Sequence, residues 1–543
     1  MIKTIIILGY LTALTVLGLL ARRRSRPGQE DFFLASRTIG PLFLLLTMAA
    51  TNFSAFTVLG FAGEGYRSGY AYYPIMAFGT GFMALTFLFL GIPVWRWSRA
   101  RGVVTPAEFM LVRLGNRPLQ LAFATVMIVF TLPYIALQPM GAGYALNKLL
   151  GIPYAWGVVL VTVVGVGYVV ASGLRGDVWT DTLQGGVMIV ALVAVFVGAA
   201  RALGGFGQTN QTVREQLPAL FARPGPGGEF PVGVWLSYMA LWFLCDPMFP
   251  QLFQRFLAAR DEKALRVTAL FYPLVTGGLF FLPVAVGVMA RLVEPGLVGR
   301  AADEVLPLVA GRVLPSWLAA VVVAGVLAAM MSTMDSQLLT LSSMVVRDIL
   351  GCKEHSSPVW SRAAVVLLGL VGLVLALRPV ATIRVIATET FTGLAVLFPV
   401  TFAAVYWRRT NPWAALASIV AGEALVALYH FKLLPAPGVL PVIPVVLVTT
   451  AVLVVGSLVR PARQTDVMAR ISGSAWRWVA VFGLLFVASV DFWNWNRSEV
   501  FWWGLPTWLW YHLALIVVLF LALLIWAACS RSDKSCYRVN ASE

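Results

Sequence analysis

The stretch Gly325–Ile349 (GVLAAMMSTMDSQLLTLSSMVVRDI) sets a row of side-chain oxygens inside an apolar run. At the ~100° step of an α-helix, Ser332, Thr333, Ser336, Thr340 and Ser343 share one sector about 100° wide, with Asp335 at its edge. Leu327, Met331, Met334, Leu338, Leu341 and Val345 fall on the other side. Hydroxyls with a lone carboxylate are hard oxygen donors, suited to a hard, weakly charged cation such as Na⁺. In hydrocarbon such a stripe faces a bundle interior or a wet cavity. Small polar residues also let helices pack closely; Asp335 is what favours ion binding over that reading.

The elements that must position this stripe are membrane helices. Of 543 residues, 59% are hydrophobic and 12% charged, against roughly 25% charged in soluble domains. The net charge of +16 comes from short Arg and Lys clusters between apolar runs, a topology signal with no basic domain to carry nucleic-acid binding. Four cysteines (Cys245, Cys352, Cys529, Cys536) lack a CxxC spacing, and three histidines are dispersed. Neither a disulfide framework nor metal catalysis is implied. No nucleophile–base pair or phosphate loop is evident, so an enzyme is not expected.

Residues 1–21 are apolar and end in ARRRSR. That order is the reverse of a signal peptide, so a retained helix is expected. Further apolar segments lie at about 40–62, 73–95, 119–148, 153–172, 178–203, 232–258, 267–291, 315–348, 363–378, 385–407, 413–431, 439–459, 476–493 and 507–528, giving about fifteen spans by the ~20-residue rule. Arg22, Arg23, Arg24 and Arg26 set the N-terminus outside, and an odd count then sets the C-terminus in the cytoplasm. Two segments look broken. Ala49–Ala55 is small and polar in mid-span, and Asp246, Pro247 and Pro250 interrupt LWFLCDPMFPQLFQR. Unwound backbone at membrane depth is tolerated where it lines a cavity or is buried in protein. Two such breaks five spans apart are the mark of an inverted-repeat transporter with its site at the repeat interface.

The chain resembles the sodium/solute symporter family in EDFFLASRTIGPLFLLLTMAATNFSA (30–55), GLRGDVWTDTLQGGV (173–187), FPQLFQR (249–255) and AAMMSTMDSQLLTLSSMVVRDI (328–349). The resemblance implies an all-α polytopic fold of two inverted five-helix repeats, similar to leucine transporters. The repeats are expected at 40–203 and 232–408, after an N-terminal helix at 1–22 and before extra helices at 413–528 and a cytoplasmic tail at 529–543. It implies a Na⁺-coupled symporter of a small organic solute (amino acid, carboxylate, pantothenate or sugar), working by alternating access in a lipid bilayer. The main Na⁺ site would use the carbonyls of Ala50, Phe53 and Ala329 with the hydroxyls of Ser332 and Thr333, which agrees with the stripe. A second cation site would involve Asp181 and Ser336, with Asp335 standing where two-sodium members carry Ser; the alternative sets Asp181 in an intracellular gate, paired with Arg175 or another basic residue. The solute site would draw on Asn52, Phe53, Gln138, Asp246, Phe249, Gln251 and Phe391. Asn52 replaces the Asp of proline-type members, and no Lys or Arg is expected at the midplane. A membrane sensor or a channel are the rival functions; the short tail after 528 speaks against an appended signalling module.

Overall fold

The structure, a computed structural model, describes all residues except 24–27, 353–358, 380, 436–437, 463–472, 500–501 and 533–543. The predicted tail beyond 532 and the basic residues at 24, 26, 463 and 470 therefore lie outside the described residues. The described chain is almost wholly helical, with an isolated parallel bridge from Ile39 to Ala259. The helices used below are α1 (Ile2–Arg22), α2 (Pro41–Asn52), α3 (Phe61–Ser68), α4 (Tyr72–Thr86), α5 (Arg117–Leu150), α6 (Tyr154–Ala202), α7 (Val232–Cys245), α8 (Pro250–Ala258), α9 (Glu262–Val293), α10 (Ser316–Met344), α11 (Val359–Ala376), α12 (Ile383–Ala395) and α13 (Leu397–Tyr406). Four more follow: α14 (Pro412–His430), α15 (Val442–Val459), α16 (Gly473–Val490) and α17 (Thr507–Ser532).

Among the described residues, twelve helical runs are long and apolar enough to cross a membrane, or thirteen with the bent pair formed by α7 and α8. The expected fifteen is not reached this way, because helix continues through two chain reversals. Phe56–Ala100 and Tyr154–Ala202 run for 45 and 49 residues, each more than twice the ~20 residues that one crossing needs. The first contains Gly69 (φ 69°, ψ −150°) and the second Gly173 (φ 60°, ψ −160°), a conformation essentially confined to glycine.

The core sits around α10. Every residue from Val322 to Met344 is buried, as befits a helix enclosed on all sides. It packs along α6 and α5, touches α1, and meets α2 where α2 ends. On the far side α9 packs against α3 and α4. Gly65 and Gly287 permit that approach: a Cβ on Gly65 would lie 2.2 Å from the Val284 carbonyl oxygen, and one on Gly287 2.0 Å from that of Ala62.

Candidate functional site

The site begins where α2 stops. Phe53 leaves the helical region (φ −86°, ψ 95°), and a π-helical turn at Phe56–Gly60 precedes α3. The sequence Ala-Ala-Thr-Asn-Phe-Ser supplies short side chains with little packing to hold a helix, and Ser, Thr and Asn compete for backbone groups. Each freed donor has a named acceptor, as buried backbone requires. Ala55 N–H donates to Gln138 Oε1 at 2.9 Å, Ser54 N–H to Thr57 Oγ1 at 2.7 Å and Phe56 N–H to Ser54 Oγ at 3.2 Å.

The freed carbonyls turn toward α10. Ser332 Oγ donates to the Ala50 carbonyl at 2.9 Å and to that of Ala329 at 3.0 Å. Thr333 Oγ1 lies 2.9 Å from the Thr51 carbonyl, 3.3 Å from Phe53 and 3.1 Å from Ala329. Each of the five oxygens expected at the main Na⁺ site is thus within 3.3 Å of at least one other, and Thr333 Oγ1 also meets the Thr51 carbonyl, which sequence reasoning omitted. Three carbonyls and two hydroxyls form a neutral, hard donor set that fits a monovalent cation. Among the described residues no group of three His, Cys, Asp or Glu side chains could hold a metal.

The second break separates α7 from α8. A 3₁₀ turn at Asp246–Met248 and extended Phe249 (φ −60°, ψ 124°) bend the chain by 51°. Pro247 and Pro250 remove two donors, and Pro250 disfavours helical geometry at Phe249. Between the two breaks lies a narrow cavity lined by Asn52, Phe56, Thr57, Met76, Thr80, Tyr134, Trp242, Asp246, Phe249, Phe280 and Phe391. Of the expected solute residues, Asn52, Asp246, Phe249 and Phe391 line it. Phe53, Gln138 and Gln251 do not: the Phe53 ring packs on Phe280 at 5.0 Å, and Gln138 is committed to the α2 break. Gln251 is buried away from this wall, its amide without a partner. The other lining residues are mostly aromatic, and at 12% of the chain aromatics carry no spacing that would have singled them out.

Two of the three residues expected at a second cation site come together. Asp181 and Ser336 meet, but around a guanidinium. Arg255 donates to Asp177 at 2.6 Å, Ser336 at 2.7 Å, Thr47 at 3.1 Å, Thr51 at 3.3 Å and Asp181 at 3.4 Å; Thr47 also bonds Asp181. Arg255 is fully buried. Asp335 lies a third of a helical turn away: a Cβ on Gly165 would sit 3.2 Å from its Oδ1, and neither of its oxygens has a partner. Arg175, the other predicted partner of Asp181, instead pairs with Asp31 at 2.5 Å. Asp177 was missed, although Asp177–Asp181 and Thr47–Thr51 both carry the i, i+4 spacing that stacks side chains on one helix face.

Ion pairs flank the cavity at both ends. Glu64 pairs with Arg67 at 2.6 Å and Arg384 at 2.9 Å, and these arginines reach Asp303 and Glu229. Burial raises the Asp303 carboxyl above the usual range, with Arg67 opposing. At the other end Arg37 pairs with Glu30 and Arg347 with Glu108.

Residues 32–422 match the family model described as Sodium:solute symporter family. The chain belongs to that family. The symporter is 26% identical over 462 residues to the sodium/pantothenate symporter of Escherichia coli (strain K12), covering 83% of this chain and 95% of that one. It is 25% identical over 425 residues to the high-affinity proline transporter PutP of Bacillus subtilis (strain 168), covering 74% and 86%. Its fold matches that of a Na⁺-coupled sialic acid symporter in a substrate-bound outward-open state, with a TM-score of 0.72, 18% identity and coverage of 86% and 99%. The chain is therefore an all-α, multi-pass membrane protein with the inverted-repeat transporter fold, and a sodium-coupled symporter of a small organic solute.

Proposed function

We propose that one Na⁺, held by Ala50, Phe53, Ala329, Ser332 and Thr333, drives import of the solute held between the two helix breaks. Asp181 and Ser336 then belong with Arg255 to an internal ion-pair latch and not to a second Na⁺ site: the guanidinium supplies the positive charge between the two carboxylates. The terminal ion-pair groups around Glu64 and around Arg37 act as the two gates, opened in alternation, with the N-terminus outside and the C-terminus in the cytoplasm. The observation that carries the reading is the adjacency of the two sites on one strand of backbone. Ala50 and Phe53 face α10 with their carbonyls, while Asn52 between them faces the cavity. Na⁺ bound there fixes the cavity wall, so Na⁺ and solute raise each other's affinity by one common factor.

One Na⁺ gains about 2.3 kcal/mol from 100 mV and about 1.4 kcal/mol from a tenfold gradient. Their sum of ~3.7 kcal/mol would support accumulation of a neutral solute by about 500-fold. The test is solute uptake into proteoliposomes as a function of external Na⁺. A Hill coefficient near one, unchanged in Asp181→Asn, is expected; a coefficient near two that falls in this variant would restore the second ion site.

A further inference from the structure

We propose that the solute carries a cationic nitrogen, with Asp246 as its counter-ion and the aromatic walls of the cavity around its alkyl groups. The inference rests on the symporter reading above and narrows it to a substrate class: small alkylated ammonium compounds.

Asp246 sits in the turn between α7 and α8 and is 1% exposed. One of its carboxylate oxygens has no partner, and the other receives a weak S–H bond from Cys245 at 3.7 Å. Its polar neighbours across the cavity are Thr80 and Asn52. Both are neutral donors within side-chain hydrogen-bonding reach of the carboxylate; the Asn52 amide gives one N–H to the Tyr272 hydroxyl at 2.7 Å and keeps the other, so neither brings a positive charge. None of the cavity-lining residues is Lys or Arg, and Arg255 is committed to Asp177 and Asp181. A carboxyl taken out of water without a cation is held protonated; a cationic solute supplies from outside the protein the charge that lets it ionise. The sign of the discrimination follows. A net anionic solute entering here meets a like charge at close range, which specificity uses as a penalty.

The walls point to the same class. Phe56 stacks on Trp242 with centroids 5.2 Å apart, Trp242 meets Phe391 edge-on at 5.2 Å, and Phe391 also contacts Phe249 at 4.7 Å and Tyr134 at 4.8 Å. Aromatic faces attract cations, and quaternary ammonium groups are held by such cages. Six of the eleven lining residues are aromatic, so the wall offers ring faces to the methyl groups of an alkylated nitrogen. The position is also informative. Asn52 is neutral, and the turn of the opposite broken helix, at Asp246, supplies the carboxylate.

The test uses the purified full-length chain in Na⁺ and in K⁺, with thermal shift and equilibrium binding for choline, glycine betaine, proline, pantothenate and pyruvate. Choline or glycine betaine should stabilise the protein in Na⁺ and not in K⁺, with pyruvate and pantothenate inactive. Asp246→Asn should weaken choline binding at least 30-fold, and Trp242→Leu more than Trp242→Phe. Stabilisation by Na⁺ alone should persist in these variants, showing that they fold and keep the ion site. Absence of Na⁺-dependent binding of both cationic probes, or equal choline affinity in Asp246→Asn, overturns the inference. Na⁺-driven uptake of pantothenate or pyruvate at the same time would leave the symporter mechanism standing and this substrate class refuted; loss of Na⁺ stabilisation in the parent chain would strike the ion site instead.

Discussion

Thr333→Ala is the sharpest test of the ion site. Thr333 Oγ1 lies within 2.9–3.3 Å of three carbonyls, two from the α2 break (Thr51, Phe53) and one from its own helix (Ala329). Removing it deletes one of the five oxygens proposed to hold Na⁺ and leaves the Thr51 and Phe53 carbonyls without their donor from α10. A buried polar group deprived of its partner costs about 1–3 kcal/mol. Taking ~2 kcal/mol as lost from Na⁺ binding, the half-saturating Na⁺ concentration should rise about 30-fold. The assay is the initial rate of solute uptake into proteoliposomes across a Na⁺ series, paired with the Na⁺-induced thermal shift in detergent. Thr333→Ser keeps the hydroxyl and should stay within about threefold of the parent. Thr340→Ala is the control on the same stripe, since its hydroxyl serves Gln254 and the Ser336 carbonyl two turns away. An unchanged Na⁺ requirement in Thr333→Ala, or an equal rise in Thr340→Ala, would refute the assignment.

Three further outcomes follow from the packing. Gly65→Ala and Gly287→Ala should each lose about 1–3 kcal/mol from overpacking, read as a lower melting temperature, because the obstacle in both cases is a backbone carbonyl; Gly278→Ala, with nothing within 4 Å, should melt with the parent. Arg255→Ala strands Asp177 and Asp181 without a counter-charge and should cost about 3–5 kcal/mol, largely restored by adding Asp177→Asn and Asp181→Asn; a single variant as stable as the parent would remove the latch. Gln138→Leu orphans the Ala55 N–H and should cost about 1–3 kcal/mol while raising the Na⁺ requirement, whereas Gln138→Glu keeps an acceptor and should be milder; equal uptake curves for both would count against Gln138 as the support of the break.

The α10 stripe and both helix breaks were legible because each is a local violation of an apolar pattern: hydroxyls at helical spacing, small polar residues at Ala49–Ala55, and Asp246 with two prolines. The boundaries expected between 62 and 73 and between 172 and 178 enclose Gly69 and Gly173, where the chain turns within runs that stay helical to either side. Asp335 shows the limit of a helical wheel. The wheel puts it at the edge of the stripe, but only the packing decides that it faces Gly165 of α6 and not Asp181. Arg255 was hidden for a related reason. It reads as one of several basic residues closing a segment, and what draws it inside is a carboxylate pair some 75 residues earlier in the chain.

Why the coupling ion and the solute should communicate at all comes down to four residues, 50–53. A continuous helix would bury the carbonyls of Ala50, Thr51 and Phe53 in its own hydrogen bonds and leave Ser332 and Thr333 nothing to meet. The break releases those oxygens, and Gln138, Thr57 and Ser54 keep it open by accepting the donors released with them. Because Phe53 also packs its ring on Phe280, which lines the cavity, an ion that draws the Phe53 carbonyl toward α10 moves both the backbone and the aromatic wall of the solute site. Transmission over so short a path needs no chain of intermediate residues, only that the unwound segment have two arrangements that the ion and the solute favour unequally. The Gln138 support matters for that reason: a segment held at its donors and loose at its carbonyls is one whose carbonyl positions a single monovalent ion can choose.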